Sequence, residues 1–559
     1  MLRVFAASAR FSDSAAYNAA LNRTLKRAPK RSIEPSGLAL FALLFTFVFL
    51  LHLPLLRLPY FWDEAGYYIP AARDILLGGD FIPHSTPTNA HPPLVMAWLA
   101  LWWKLSGYAV AVTRTAMLVV SAFALLGVYR LARKVANTQV ALASVLLTAL
   151  FPVWFAQSTL AHLDMAAAAF TIWGVLAYVQ GQRWHAIAWF GLAGISKETA
   201  IAAPMALFAW EAAAQIIGTR FSAFTLPFRK PSWSATLGLL LALVPLGLWF
   251  TYHWAKTGMI FGNPEFIRYN VTATLNPLRI ILAGIQRLWQ SLGYMNLFVL
   301  TGTAALAMFY PSLPGRERDR ISIPVQLVFA VVLLAYVGML AVLGGAVIAR
   351  YMLPVIPLVI IVSVSTIRRR VSFWPWIVVI TAAGFGAALF SNPYYRSSPE
   401  DSLNYASFIR LHKQGAEILA KRYPESRILT AWPASDELTK PYLGYVREPM
   451  TVVRLENFAY DQIALAAQAQ QEYDVAFVFS TKLEPRYPLL GGWPAWRRIQ
   501  ERFFDYHRDL PPELIASMLQ GRIVHSASAN GQWVAIIEFP RIRNAELRVE
   551  RNRSIATAN

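Results

Sequence analysis

The sequence has 559 residues, of which 56% are hydrophobic and 15% are charged, and this much apolar surface cannot be enclosed in one water-soluble core. The formal charge of +20 does not indicate nucleic-acid binding, because Lys and Arg fall in short clusters between long apolar runs, as in loops that orient membrane proteins. The absence of cysteine excludes disulfides, thiolate metal sites and thiol nucleophiles.

Apolar runs long enough to cross about 30 Å of hydrocarbon recur from residue 37 onwards. The polar, basic residues 1–36 show no small-residue cleavage site, so we interpret them as a cytoplasmic tail before an uncleaved first helix. The sequence predicts about eleven spans, at 37–57, 113–131, 138–156, 165–180, 186–200, 201–216, 234–254, 293–311, 322–342, 352–367 and 373–391.

The basic clusters set the predicted orientation of these spans. If the spans alternate, the clusters all lie on the cytoplasmic side: Lys26–Arg31, Arg130–Lys134, Arg229–Lys230, Arg316–Arg320 and Arg368–Arg370. The segment 91–107 is not counted as a span, because a further crossing would move Arg130–Lys134 outside. Its tryptophans and Lys104 favour the outer interface, and a short additional transmembrane helix is the alternative.

The composition changes near residue 392, where charges become more frequent. Strand-like runs at 427–432, 451–455, 474–479 and 533–539 alternate with helix-like runs at 402–421 and 461–471. The predicted fold class is therefore mostly α. Residues 37–391 form a polytopic transmembrane helix bundle with outer-face interfacial helices and an outer loop at 58–112, residues 392–540 an extracytoplasmic soluble α/β domain, and residues 541–559 a polar tail.

The first outer loop carries an acid pair, Asp63 and Glu64, directly after the first helix, with Tyr67 close behind. A charge at membrane depth costs about 2.5 to 3.5 kcal/mol on insertion scales, so acids near the core are generally tied to function or to a partner. A solvated loop pair is the alternative. Further along the loop, two prolines fix the backbone after His91 and so position its side chain for a site. A hydrogen-bonded interface residue is the alternative for His91.

Later outer turns supply further polar residues. His162 and Asp164 lie between spans three and four, where Asp164 either serves a site or caps the following helix. Lys197 and Glu198 form a polar break between spans five and six, and they pair either with each other or with other spans.

Two arginine-tyrosine pairs complete the candidate set. Arg268 and Tyr269 lie in the long outer loop after span seven, and Arg350 and Tyr351 open span ten, although either arginine can also extend to lipid headgroups. If the bundle brings these segments together, carboxylates that accept a proton or hold a metal meet cations that hold a phosphate. Displacement of a lipid phosphate from a sugar needs that combination.

The order of the motifs resembles the C-type glycosyltransferase superfamily, in the branch of protein O-mannosyltransferases and lipid A aminoarabinose transferases. The resemblance covers most of residues 37–391 and rests on Asp63-Glu64, Tyr67, the run 79–84 (GDFIPH), the run 91–94 (HPPL), Leu163-Asp164, Ser196-Lys197 and the run 350–354 (RYMLP). It implies that Asp63 is the catalytic base or positions the acceptor, and that Asp164 supports the same site. The remaining matched residues are expected around the carrier phosphate.

One departure concerns the residue expected to bind phosphate. Aminoarabinose transferases carry Glu-Lys-Pro where this chain has Ala90, His91 and Pro92, so His91 binds a phosphate, a metal or an acceptor. The resemblance implies an enzyme of the inner or plasma membrane that moves a hexose or pentose from a polyprenyl-phosphate donor to a lipid, glycan or protein acceptor at the outer face.

Within that interpretation Asp63 accepts the acceptor proton, and Glu64 and Asp164 orient the site. Arg350, Lys197 and His91 stabilise the leaving phosphate. The expected partners are the donor, the acceptor and membrane lipids; no cofactor is required, and whether a divalent metal assists is left open. A multi-span transporter or lipid flippase is the main alternative, and a noncatalytic glycan-binding protein on the same scaffold is a third.

Overall fold

The structure is a computed structural model that describes residues 36–217, 232–316, 319–483, 493–504, 506 and 508–539. The predicted tails, apart from Ser36, and the basic clusters at Lys26–Arg31 and Arg229–Lys230 lie outside the described residues. The chain divides into two compact units, Met1–Leu43 and Leu44–Asn559. In the first unit, the Ser36 hydroxyl accepts a hydrogen bond from the Ala39 backbone N–H at 3.1 Å.

The described residues up to 390 are mostly helical. Their α-helices are α1 (Gly37–His52), α2 (Ile69–Gly78), α3 (Leu94–Ser106), α4 (Val110–Val135), α5 (Thr138–Leu150), α6 (Pro152–Gln157), α7 (Leu163–Val179), α8 (Arg183–Ser196), α9 (Ala202–Ile217), α10 (Trp233–Gly238), α11 (Val244–Thr257), α12 (Pro264–Asn270), α13 (Pro277–Leu292), α14 (Leu297–Ala307), α15 (Ile323–Val342), α16 (Ile356–Arg370) and α17 (Trp374–Phe390).

Five helical stretches of the described chain are long and apolar enough to cross a membrane. They are Gly37–Leu55, Val110–Val135, Glu198–Ile217, Trp233–Thr257 and Ile323–Val342. Shorter apolar helices accompany them, at Leu94–Ser106, Thr138–Leu150, Leu163–Val179 and Trp374–Phe390. Their length and composition agree with the prediction of a mostly helical, multi-pass membrane protein.

The helices differ from the predicted runs in several places; the run 138–156, for example, is divided between α5 and α6. The run predicted at 293–311 contains a 3₁₀ turn, Tyr294–Asn296, followed by α14, because Met295 and Asn296 have positive φ values of 48° and 67° and delay the start of the α-helix. The long outer loop predicted after span seven contains α12 and α13. Asn276 caps α13 by accepting from the backbone N–H of Leu278 at 3.0 Å.

The C-terminal region forms the predicted α/β fold. After α18 (Asn404–Arg422), a five-stranded sheet has the order β2-β1-β3-β5-β4. Its elements in chain order are β1 (Ile428–Ala431), α19 (Ala434–Thr439), β2 (Val452–Leu455), α20 (Tyr460–Gln468), β3 (Val475–Phe479), α21 (Pro494–Phe504), α22 (Pro512–Met518), β4 (Arg522–Ala529) and β5 (Gln532–Glu538).

Strand β1 runs parallel to β2 and β3, with Ile428 opposite both Val452 and Val475. Strand β5 is antiparallel to β3 and to β4. The four predicted strands are confirmed, whereas β4 was not predicted, because its small and polar residues give no apolar run. It pairs with β5 through a turn at Asn530 and Gly531, whose positive φ values suit a tight hairpin.

Candidate active site

Arg350 is the centre of a buried ionic cluster in the helical part of the chain. Its Nη1 donates to Glu400 Oε2 at 2.7 Å, and its Nη2 donates to Asp63 Oδ2. Its Nε lies 3.3 Å from Asp164 Oδ2. Three carboxylates from distant parts of the sequence therefore surround one guanidinium, which is itself only 3% exposed. We name Asp63, Asp164, Lys197, Arg350 and Glu400 the Arg350 cluster.

Lys197 is the second cation of this cluster. Its Nζ donates to Asp164 Oδ1 at 2.5 Å and lies 3.6 Å from the centre of the Tyr351 ring. The lysine occurs where α8 ends and a short 3₁₀ turn begins, in an extended conformation with φ of −152°. This break in the helical path directs a long charged side chain toward Asp164 at the start of α7. Lys197 and Asp164 are thus paired across two helix ends.

Asp63 differs from the other two acids in its access to solvent. Its side chain is 33% exposed, compared with 2% for Asp164 and 5% for Glu400. The preceding residue, Trp62, has a φ of 46°, which is unfavourable for a bulky residue and is found mostly where surrounding contacts enforce it. The Trp62 ring packs 5.0 Å from the Trp432 ring, so contacts with the C-terminal region support this conformation.

Glu64, the neighbour of Asp63, points into the protein and makes a separate ion pair. Arg114 donates to both of its carboxylate oxygens, with 3.0 Å from Nη2 to Oε2, and both side chains are buried. The carboxylate also accepts from the backbone N–H of Phe61 at 2.8 Å and of Ala161 at 2.6 Å. With four donors around it, Glu64 joins the loop of Asp63 to the turn before Asp164 and does not face the cluster.

His91 lies beside the Arg350 cluster. Its Nδ1 is 3.4 Å from Glu198 Oε2, and its ring centre is 5.3 Å from that of Tyr67 and 5.8 Å from that of Tyr68. The preceding Ala90 has a φ of 55°, and its carbonyl accepts from Trp249 Nε1 at 2.9 Å. A left-handed residue therefore precedes both His91 and Asp63.

His162 lies between Arg350 and the Tyr68 ring. It is fully buried, with Nδ1 2.7 Å from Gln157 Oε1 and 2.8 Å from Arg350 Nη1. Its ring centre is 5.8 Å from that of Tyr68, which also lies next to His91. The Tyr68 ring thus lies between His91 and His162, which contacts Arg350.

The family comparison concerns the segment that carries most of these groups. Residues 90–249 match the family model of dolichyl-phosphate-mannose-protein mannosyltransferases. This match confirms the resemblance predicted from the sequence. The mannosyltransferase-like segment contains His91, His162, Asp164, Lys197 and Glu198, while Asp63 and Arg350 reach the cluster from outside it.

Two solved structures are similar to the chain at low sequence identity. ArnT from Cupriavidus metallidurans bound to undecaprenyl phosphate has a TM-score of 0.47 at 15% identity, covering 89% of this chain and 97% of that chain. The Archaeoglobus fulgidus oligosaccharyltransferase in complex with Zn and sulfate has a TM-score of 0.43 at 13% identity, covering 79% of this chain and 68% of that chain. No curated protein matches the chain.

Apart from Glu64, which pairs with Arg114, the predicted residues separate into three groups. Asp63, Asp164, Lys197 and Arg350 are in direct contact, with Tyr351 against Lys197. The second group is His91, Glu198, Tyr67 and His162. In it His162 contacts Arg350, and His91 contacts Glu198 and Tyr67. Arg268 and Tyr269 form the third group, exposed on α12, whose Phe266 ring centre is 5.3 Å from that of His91.

Three functional candidates were not predicted from the sequence. Glu400 lies in a 3₁₀ turn, Pro399–Asp401, that follows the last helix of the bundle and is capped by Ser398. The adjacent acids Glu400 and Asp401, in a Ser-Pro-Glu-Asp run, were the available signal. Arg114 lies in the apolar helix α4 and Arg287 in α13, and the sequence around each arginine gives no sign of its partner.

Arg287 holds the loop that leads to Arg350. This buried arginine on α13 donates to the carbonyl of Ile348 at 2.6 Å and of Ala346 at 3.3 Å. Arg279, eight residues earlier on the same helix, donates to the carbonyls of Gly344 and Gly345 at 2.9 and 3.1 Å. These bonds fix the backbone just before Arg350 and so orient its guanidinium.

Burial controls the charge state of the acids in the turn after α17. Burial raises the pKa of Glu400 to about 8, although the nearby Arg350 opposes this shift. Burial likewise raises the pKa of Asp401 to about 6, and the hydrogen bond from Tyr294 at 2.6 Å opposes this rise.

Among the described residues, no three His, Cys, Asp or Glu side chains are arranged to hold a metal ion.

Proposed function

We propose that the chain is a membrane glycosyltransferase that moves a sugar from a polyprenyl-phosphate donor to a lipid, glycan or protein acceptor. The observation that carries this proposal is the Arg350 cluster, where a partly exposed carboxylate meets two buried cations. The mannosyltransferase family match over residues 90–249 supports the same donor class. The transferred sugar is a hexose or a pentose.

The reaction forms a bond between the acceptor oxygen and the anomeric carbon and breaks the bond from that carbon to the phosphate oxygen. Asp63 takes up the proton that the acceptor hydroxyl loses. The bonding electrons leave with the phosphate, whose negative charge Arg350 and Lys197 stabilise. Attack from the face opposite the leaving phosphate inverts the anomeric centre.

The other acids act by positioning. Asp164 holds Lys197 at 2.5 Å and lies beside Arg350 Nε, so it keeps the two cations apart and oriented. Glu64 holds the backbone around Asp63 through its bonds to Phe61 and Arg114. His91 and Tyr67, with Glu198 and His162 beside them, contribute to the pocket for the sugar or the phosphate, and Arg268 and Tyr269 contact the lipid carrier at the membrane surface.

The proposed orientation follows from the basic clusters between the spans. About eleven spans, an inner N-terminus and the helix 94–106 at the outer interface would place the cluster and the α/β domain outside the cytoplasm. In this arrangement residues 37–391 form the membrane domain and 392–540 the exterior domain. The polyprenyl chain lies between helices while its phosphate meets the cations at the interface.

The test is sugar transfer by membranes that contain the wild-type protein or an Asp63→Asn variant. A panel of polyprenyl-phosphate sugars is supplied with membrane extract, and the products are identified by mass spectrometry. Loss of the base should lower turnover about 10²- to 10⁴-fold. Asp461→Asn is the matched control, because it makes the same substitution at an exposed acid in the first turn of α20. Unchanged turnover in Asp63→Asn would refute the base assignment.

A further inference from the structure

The Arg350 cluster is already filled with negative charge. Three carboxylates, Asp63, Asp164 and Glu400, face two cations, Arg350 and Lys197. Even with the buried Glu400 carboxyl protonated, the remaining charges balance. Adding a phosphate to this set would leave a net negative charge at a largely buried place, which is unfavourable. A phosphate that binds Arg350 must therefore displace one of the acids.

The three acids differ in how firmly they are held. Asp164 is bonded to Lys197 and is 2% exposed, and Glu400 is 5% exposed on a turn that Ser398 caps. Asp63 is 33% exposed, and among the hydrogen bonds of the described residues its carboxylate makes one, to Arg350 Nη2. Asp63 is thus the acid that can leave Arg350 at the smallest cost.

We infer that the donor phosphate takes the place of the Asp63 carboxylate on Arg350 Nη2, and that this exchange releases Asp63 to act as the base. The inference rests on the proposed function. Phosphate and carboxylate oxygens both fit the planar donors of a guanidinium, so the exchange preserves the geometry of the pair. A phosphodiester and a carboxylate each carry one negative charge, so it also preserves the charge around Arg350.

The exchange sets the order of events, because the donor must bind before Asp63 can act as the base. Without donor, the ion pair with Arg350 occupies the Asp63 carboxylate. Once the phosphate holds Arg350, the Asp63 carboxylate turns to the open side of the site, where the acceptor hydroxyl approaches. Glu400 and His162 stay on Arg350 Nη1 throughout and keep the guanidinium in its plane.

The first experiment measures binding of undecaprenyl phosphate to the purified full-length protein in detergent by native mass spectrometry. Removing the competing carboxylate in Asp63→Asn or Asp63→Ala should tighten binding about tenfold or more, while transfer is lost. The control Asp461→Asn should bind within about twofold of the wild type, because Asp461 is exposed on α20 and exposed charges are screened by salt. Two variants at position 63 are compared because either substitution alone could change folding, which thermal unfolding of each protein reports.

The second measurement needs no variant. Carbodiimide labelling of carboxyl groups, read by peptide mass spectrometry, should label Asp63 more strongly when undecaprenyl phosphate is added, with the exposed Asp461 as the internal reference. Wild-type or weaker binding by both variants, or no rise in Asp63 labelling, would overturn the exchange and leave the proposed function standing. Failure of the wild-type protein to bind the lipid at all would overturn the proposed donor and the exchange together.

Discussion

Replacing Glu64 with Gln tests whether a buried ion pair assembles the site. In the wild type, the Glu64 carboxylate accepts from Arg114 and from the backbone N–H groups of Phe61 and Ala161. The amide of Gln has one acceptor oxygen in place of two, so at least one of these donors loses its partner, at a cost of about 1–3 kcal/mol. Arg114 also becomes a buried charge without a counter-charge.

Breaking a buried pair by removing one partner destabilises proteins by about 3–5 kcal/mol, and we expect a loss in that range for Glu64→Gln. The free energy of unfolding is measured by denaturant titration of the detergent-solubilised protein, followed by tryptophan fluorescence. The exposed pair of Asp80 and His84 provides the control, since Asp80→Asn should cost less than about 1 kcal/mol.

A double variant separates the charge from the shape of the pair. Glu64→Leu combined with Arg114→Met removes both charges, and it should recover part of the stability lost in Glu64→Gln. Recovery stays incomplete because Arg114 also donates to the carbonyls of Pro59 and Thr159, both at 2.9 Å. A loss below about 1 kcal/mol in Glu64→Gln would refute the view that this pair holds the Asp63 loop in place.

Two further predictions concern the C-terminal region. Burial raises the folded-state pKa of Glu400 to about 8. Its contribution to the free energy of unfolding is therefore full below the pKa that Glu400 has in the unfolded state, and it is lost as the pH rises from there through 8. Glu400→Gln should flatten the fall in the free energy of unfolding between pH 5 and pH 9, and equal slopes for wild type and variant would contradict this. A Cβ at Gly66 would lie 2.7 Å from Trp432, so Gly66→Ala should cost about 1–3 kcal/mol by overpacking. Gly302→Ala, in a helix with no atom within 4 Å of the added Cβ, should be neutral or stabilising, and equal effects of both substitutions would argue against close packing at Gly66.

The sequence was informative where a polar residue interrupts an apolar run. Asp164 and Lys197 stood out because charges at the ends of spans are unusual, and the structure joins them at 2.5 Å. The apolar runs likewise predicted helices well, since length and hydropathy are local properties of the chain. Strand β3 was predicted for the same reason, as all five of its residues are apolar and buried.

What the sequence could not supply was the pairing between distant segments. Glu400 is 50 residues from Arg350 and Arg114 is 50 residues from Glu64, and no local pattern connects them. The left-handed conformation of Trp62 was equally hidden, because tertiary contacts and not residue type enforce it. The sequence also could not show that the neighbouring side chains Asp63 and Glu64 point to different partners, Arg350 and Arg114, because the local backbone conformation decides their directions.

The turn Pro399–Asp401 has a practical consequence for protein engineering. A cut at residue 391 looks like a natural boundary between the helical part and the C-terminal region, yet it would remove the acid that holds Arg350 Nη1. Chimaeras that exchange C-terminal regions between related proteins should therefore be joined after α18, so that the helical part retains its own Glu400. A junction placed before Glu400 would leave the Arg350 guanidinium without this partner.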